Sequence, residues 1–489
     1  MVEEKIAETY PGKVDVGDMP KKYDCFGVRH LQMACMCFTM ISLFIARGSM
    51  GVAVLAMSDE NRKNDTTVTI YDWDKKTQSV ILSSFFWGYV AMQIPAGILA
   101  KKFGGKPILL FALLVNGCLS SLLPTLAALG GWMCVCFARV MMGLSQACLY
   151  PASHTLLGQW FPPKERTGIS GLIYGGMQVG IIIAMPLSGL LAETAIGWKL
   201  NFYVMSGLLF LNAAVWYWFA ASSPAEHRMI SKEERQYIET SLHSGGSQKS
   251  MSTPWRRILT SVPLYAIMAT HVACTCSFVL FFVDMPTYLE KGLQISLKNS
   301  AVLSALPYVG MWIGNVGSSL VAEKLLNRKL LSVTACRKLF NSLAMFGIAG
   351  GLVALSFLGP ENKSLAILAI VITNTMCGFT VSGFMVNGLD LSPNFAGVLL
   401  SLTNFAANIC SILMPIITSV ILRNDPTDVS RWRLVFLMTA VISAGGNIIY
   451  LCFASSERQE WNDPDYCDKK SGDPEELKAL KKQKEAENL

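Results

Sequence analysis

Long apolar runs separated by short charged turns dominate this chain. Runs of roughly 20 or more apolar residues are long enough to cross hydrocarbon. They fall near 29–57, 78–100, 107–128, 131–159, 166–192, 199–221, 259–288, 299–322, 337–358, 364–388, 394–422 and 432–454. The pattern predicts an all-α membrane protein of twelve transmembrane helices. It divides into a tail at 1–28, a six-helix half at 29–221, a polar linker at 222–258, a second half at 259–454 and a charged tail at 455–489. Within the linker, "SKEERQYIE" sets Glu234 three residues after Ser231, a capping-box spacing that predicts a short helix.

The halves echo each other. "GILAKKFGGK" at 97–106 follows the second span and "GSSLVAEKLLNRK" at 317–329 follows the eighth, each running from glycine through alanine to bases in a tight turn. Small residues permit close helix approach, so Gly97, Gly104 and Glu323 are read as structural or gating positions. Two pseudo-symmetric six-helix halves are similar to the major facilitator fold, whose site lies at the midplane between them.

Composition agrees. Of 489 residues 52% are hydrophobic and 15% charged, with mean hydropathy +0.41, against about 25% charged in soluble proteins. The net charge of +7 forms no basic stripe interleaved with aromatics, so it is not a nucleic-acid footprint. With both termini on one side, 28 Lys and Arg fall there and 11 opposite, which by the positive-inside rule places the termini in the cytosol. The first 28 residues carry ten charges and no apolar core of a cleavable signal. The 14 cysteines lie in apolar runs or tails with neither disulfide nor metal-ligand spacing. No nucleophile–base arrangement, phosphate loop or cofactor motif points to an enzyme. The sequon "NDT" places a glycan at Asn64 in an outer loop; "NKS" at 362 lies too near the membrane to be used.

Two guanidiniums interrupt this pattern. Arg47 lies about ten residues before the outer end of the first span, and Arg139 about eight after the outer start of the fourth, so both sit ~12–15 Å below one surface. An arginine at the bilayer centre costs about 2.5–3.5 kcal/mol on insertion scales. Glu193 and Asp284, the acidic residues in spans, fall at span ends, so no carboxylate is expected at that depth. An arriving anion would relieve the two cations, and arginine's planar fork suits carboxylate or phosphate. A snorkelling or carbonyl-bonded Arg47 that merely orients its helix is the alternative. At 100° per residue, Arg139, Gly143, Gln146, Tyr150 and His154 share one arc of the fourth span, expected to face the central cavity. His271 sits near the middle of the seventh span.

Three strings, "ILSSFFWGYVAMQIPAGILAKKFGGK", "ARVMMGLSQACLYPASHTLLGQWFPPKERTGISG" and "GLDLSPNFAGVLLSLTNFAANI", with the closing "SSERQEWND", resemble the anion:cation symporters, from about residue 29 to 463. That family includes sialin, the vesicular glutamate transporters and the type I sodium–phosphate cotransporters, and the chain looks most like its insect members. The resemblance implies transport of organic anions or phosphate, driven by an ion gradient or the membrane potential. It implies that Arg47 is central to transport, and matches His271 to a polar family position. It places Asn387, Asp390 and Asn404 in a signature where Asn404 lines the cavity and Asp390 caps or gates. Gln146 and Met142 stand where sialin has glutamates, and the glutamate carriers have a histidine at Leu82 and an arginine at Cys274. Neither an amide nor a thioether takes up a proton near neutral pH, which favours sodium coupling or potential-driven flux over proton coupling. A sialin-like proton-coupled exporter and a non-transporting receptor or scaffold stay open. The expected partners are a small anion, a coupling cation and the bilayer, with the protein monomeric and without a metal or organic cofactor. The absence of an acidic dileucine signal favours the plasma membrane over lysosomal or vesicular membranes.

Overall fold

The computed structural model describes residues 27–58, 69–242, 253–294, 305–422 and 427–462. The described residues are helical, with no strand among them. Membrane-length helices are α1 (Val28–Met57), α2 (Lys75–Phe103), α5 (Pro163–Ala192), α6 (Trp198–Phe219), α8 (Leu306–Asn327), α9 (Val333–Ser356), α11 (Ala396–Leu422) and α12 (Val429–Phe453). α3 and α4 form one nearly continuous run, 105–160, that reverses at Gly131, whose φ of 57° is accessible to glycine without Cβ strain. α4 loosens again at Ala147 and Cys148, where Pro151 cannot donate to the carbonyl four residues back. α7 begins as Val262–Val279 and continues through π turns at Leu280–Asp284 and Tyr288–Gly292. α10 spans 363–391, broken by a 3-10 turn at Phe379–Val381.

The sequence-derived spans match these helices to within a few residues, with two differences that matter. α7 ends at Gly292 rather than near 288, because the π turns carry the helix past Pro286. α8 continues past 322 and ends at Asn327, while the first residues of its expected span, 299–304, lie outside the described residues. Asn64, Cys25, Cys467 and the charged tail beyond residue 462 lie outside the described residues.

The face at which α1 begins and α12 ends is termed the terminal face. The halves are pressed together there. On α2, a Cβ at Gly97 would stand 2.3 Å from Ser401 Oγ and 3.0 Å from the Gly397 carbonyl of α11. On α5, a Cβ at Gly171 would stand 2.2 Å from Ser319 Oγ of α8. Gly104 joins α2 to α3 at φ 79°, where a Cβ would stand 2.7 Å from Ser222 Oγ. The glycine of this turn follows from that geometry, since only glycine takes this φ freely beside a packed side chain.

The linker helix (Lys232–Ser241) departs from the capping-box expectation. Ser231 accepts from the Glu234 amide at 3.1 Å, as that motif requires. The Glu234 carboxylate, however, leaves its own helix and accepts from the amides of Val28 (2.9 Å) and Arg29 (3.0 Å). It caps α1, which begins at glycine and has no side-chain cap of its own. Arg29 also pairs with Glu165 of α5 at 3.0 Å. The linker is therefore fastened to the first half.

Candidate functional site

Arg47 stands among four aromatic rings. Its guanidinium carbon is 4.7 Å from the Phe85 centroid, 5.1 Å from Phe86, 5.2 Å from Tyr89 and 5.5 Å from Phe44. Phe85 and Tyr89 are four apart on α2, so they share a face and stack at 5.8 Å. Arg139 lies 4.9 Å from the centroid of the same Phe85 ring, so one ring is shared by two cations. Neither guanidinium reaches a carboxylate among the described residues. The Arg139 Nε is buried without a hydrogen-bond partner.

Magnitudes favour an external anion. Each cation–π contact supplies about 0.5–2 kcal/mol. Removing a charge from water costs several kcal/mol, and two like charges beside one ring add repulsion. The rings hold the guanidiniums in place without neutralising them.

Tyr89 also links this cluster to the second half, because Asn404 Nδ2 of α11 donates to its hydroxyl at 3.3 Å. Asn408 in turn donates to Asn404 Oδ1 at 3.0 Å, fixing the amide. Asn404 is thus brought to the arginine cluster through Tyr89. Neither Tyr89 nor Phe85 was singled out from the sequence, although their signal was present in "FFWGY".

The α4 arc does not face a single cavity. A Cβ at Gly143 would stand 2.0 Å from the Phe85 carbonyl, so this face packs on α2. Gln146 is buried and donates to Asn116 Oδ1 of α3 at 2.8 Å. Its amide completes a polar contact inside the first half rather than facing the cavity. Tyr150 remains beside the cluster, edge-on to Phe44 at 6.3 Å, with its hydroxyl donating to Met177 Sδ at 3.0 Å.

The two histidines lie closer to the terminal face. His154 is fully buried, accepts from the Tyr174 hydroxyl at Nδ1 and donates from Nε2 to the Met385 carbonyl of α10 at 3.0 Å. It bridges the halves. His271 bonds Thr403 Oγ1 at 3.1 Å and packs on Phe384, all within the second half. It stands ~13 Å along α7 whereas Arg47 stands ~28 Å along α1, so His271 is well below the arginines rather than beside them.

The remaining gating positions form a second layer. Arg337 of α9, absent from the sequence-derived candidates, donates to both oxygens of Asp390 at 2.7 and 3.4 Å and to Thr167 Oγ1 of α5 at 3.0 Å. Beside it the Glu323 carboxylate accepts from the Gly168 amide. Asn387 is occupied within its own half by Tyr450 and Ser456. The hydrogen bonds that His154, Arg337 and Asn404 make across the halves lie at the Tyr89–Asn404 level or nearer the terminal face.

Asp284 corrects one expectation. Because α7 continues to Gly292, Asp284 is eight residues, or ~12 Å, inside its end. A carboxylate does exist near the depth of the arginines, in the opposite half. It forms no ion pair with them.

Comparison with known proteins agrees with this architecture. The model of the Major Facilitator Superfamily matches residues 36–415. A Drosophila melanogaster protein provisionally named an inorganic phosphate cotransporter is 35% identical, covering 90% of this chain and 87% of its own. Human sialin is 36% identical over 80% of this chain and 78% of its own. Human vesicular glutamate transporter 2 is 33% identical over 86% and 73%. The Escherichia coli fucose:proton symporter shares the fold, with TM-score 0.59 at 14% identity over 85% of this chain and 98% of that one. The chain belongs to the major facilitator superfamily, within the group that holds sialin and the vesicular glutamate transporters.

Proposed function

We propose that this protein is a secondary active transporter of small organic or inorganic anions, carboxylates or phosphate, working by alternating access. The observation that carries the reading is the pair of guanidiniums, Arg47 and Arg139, held by aromatic rings with no carboxylate to neutralise them. An anion entering between the halves would contact Arg47 directly, with Tyr150 and Tyr89 as neighbouring hydroxyls. The relatives' names, which cite phosphate, sialin and glutamate, support an anionic cargo.

The terminal face is cytosolic in this reading, on the strength of the Lys and Arg asymmetry. The contacts of His154, Arg337 and Glu323 across the halves then describe a state closed toward the cytosol. A plasma-membrane address and sodium or potential drive complete the proposal. Gln146, satisfied by Asn116, offers no proton carrier on α4.

The test is a competition panel of anions in proteoliposomes, with sodium, proton and potential gradients imposed singly. Saturable uptake of at least one small anion, displaced by others and stimulated by sodium or potential, is the expected result. Failure of every anion, with the protein folded, would overturn the reading.

A further inference from the structure

The second half carries a polar cluster that the anion site does not use. Asp284 of α7 and Thr418 of α11 approach each other inside the helix bundle. Neither Asp284 Oδ2 nor Thr418 Oγ1 completes a hydrogen bond, and Thr418 is 1% exposed. Most buried hydroxyls in this chain bond a carbonyl three or four residues back, as Thr373, Thr439 and Ser443 do. Thr418 does not. Other buried polar atoms, those of Gln93 and Asn315 among them, also lack partners, but among the described residues Asp284 Oδ2 is the one carboxylate oxygen that does, and such an atom calls for an occupant or a role.

The backbone around the pair is also irregular. Asp284 ends the π turn Leu280–Asp284, and π turns concentrate at functional sites. Pro415, one turn before Thr418, cannot donate to the carbonyl of Ser411. Interrupted helices that free backbone oxygens are where membrane carriers hold their coupling cations. A carboxylate and a hydroxyl form a hard-oxygen donor set with one negative charge, which suits a monovalent ion. Divalent cations draw on more carboxylates.

We propose that Asp284 and Thr418 bind the coupling cation, sodium, at a site in the second half separate from the arginine cluster. The proposal rests on the transport reading above for its role, but the binding itself does not. A sodium ion would neutralise Asp284 and give Thr418 Oγ1 its missing partner.

The test is binding of radiolabelled sodium to the purified full-length protein in nanodiscs, without anion, by scintillation proximity. Saturable binding displaced by sodium chloride but not by choline chloride is expected. Asp284→Asn should weaken it at least about tenfold, the loss of one contact to a charged group, and Thr418→Val should weaken it while leaving the carboxylate in place. Anion counterflow by the same protein reconstituted into proteoliposomes needs no sodium gradient and so reports on the anion reading separately. Sodium binding unchanged in Thr418→Val and in folded Asp284→Asn would overturn the proposal. So would the absence of sodium binding in wild-type protein that still exchanges anion.

Discussion

The Tyr89 hydroxyl accepts from Asn404 Nδ2 at 3.3 Å, joining the two halves beside the ring cluster that surrounds Arg47. The same tyrosine therefore touches the candidate anion ligand and the opposite half. An anion that draws Arg47 toward itself would alter the contact that Tyr89 makes with Asn404. Occupancy and the packing of the halves are coupled through one side chain.

Replacing that hydroxyl should loosen the coupling. Tyr89→Phe keeps the ring under Arg47 and loses the hydrogen bond, worth about 0.5–1.5 kcal/mol. Labelling of cysteines introduced on the two faces should show the terminal face more accessible by about two- to tenfold. Unchanged accessibility would mean that the bond carries no conformational weight.

The contact between α2 and α4 should resist enlargement. At Gly143 an added methyl would meet the Phe85 carbonyl at 2.0 Å, and at Gly88 the Val140 carbonyl at 2.1 Å. Backbone cannot yield as a flexible side chain does, so Gly143→Ala should cost about 1–3 kcal/mol. A lowered midpoint in thermal unfolding of the detergent-solubilised protein checks this. Gly189, with nothing within 4 Å, is the matched control and should tolerate alanine.

The linker cap makes a separable stability prediction. Glu234→Ala strips the amides of Val28 and Arg29 of their acceptor and leaves Arg29 with Glu165. Loss of a cap costs about 0.5–2 kcal/mol. Thermal stability should fall while uptake per folded molecule holds, because the site lies ~28 Å along α1 from this cap.

Much of the fold could be read from the hydrophobic pattern because each span must bury its own backbone polarity. Helix count, the linker helix and the Gly97 and Gly104 turn followed from that constraint and from small-residue spacing. The site was only partly legible. Arg47 and Arg139 stood out as charges inside apolar runs, but the rings around them did not, because Phe and Tyr are ordinary in a membrane span. Gln146 had the right angular position on an ideal helix, yet Asn116 on the neighbouring helix satisfied it. Asp284 was assigned to a span end because sequence periodicity does not reveal π turns. Glu234 fitted a local motif, whereas a partner some two hundred residues earlier claimed its carboxylate.

Transport should vary little between pH 7 and 8. His154 and His271 are buried and hydrogen-bonded away from the arginines, and α4 holds an amide where a proton-carrying carboxylate would stand. His271→Gln should therefore retain uptake, and initial rates across this range check the point. Acid-stimulated uptake that disappears in His271→Gln would assign the proton to that residue instead.

The central claim is that Arg47 binds the transported anion through its planar fork, and Arg47→Lys tests it most directly. Lysine keeps the charge and most of the ring contact but loses bidentate geometry. Initial uptake of the preferred anion should fall at least about tenfold, the worth of a hydrogen bond to a charged group, with expression and thermal midpoint unchanged. Uptake at the wild-type rate in folded Arg47→Lys protein would contradict the account.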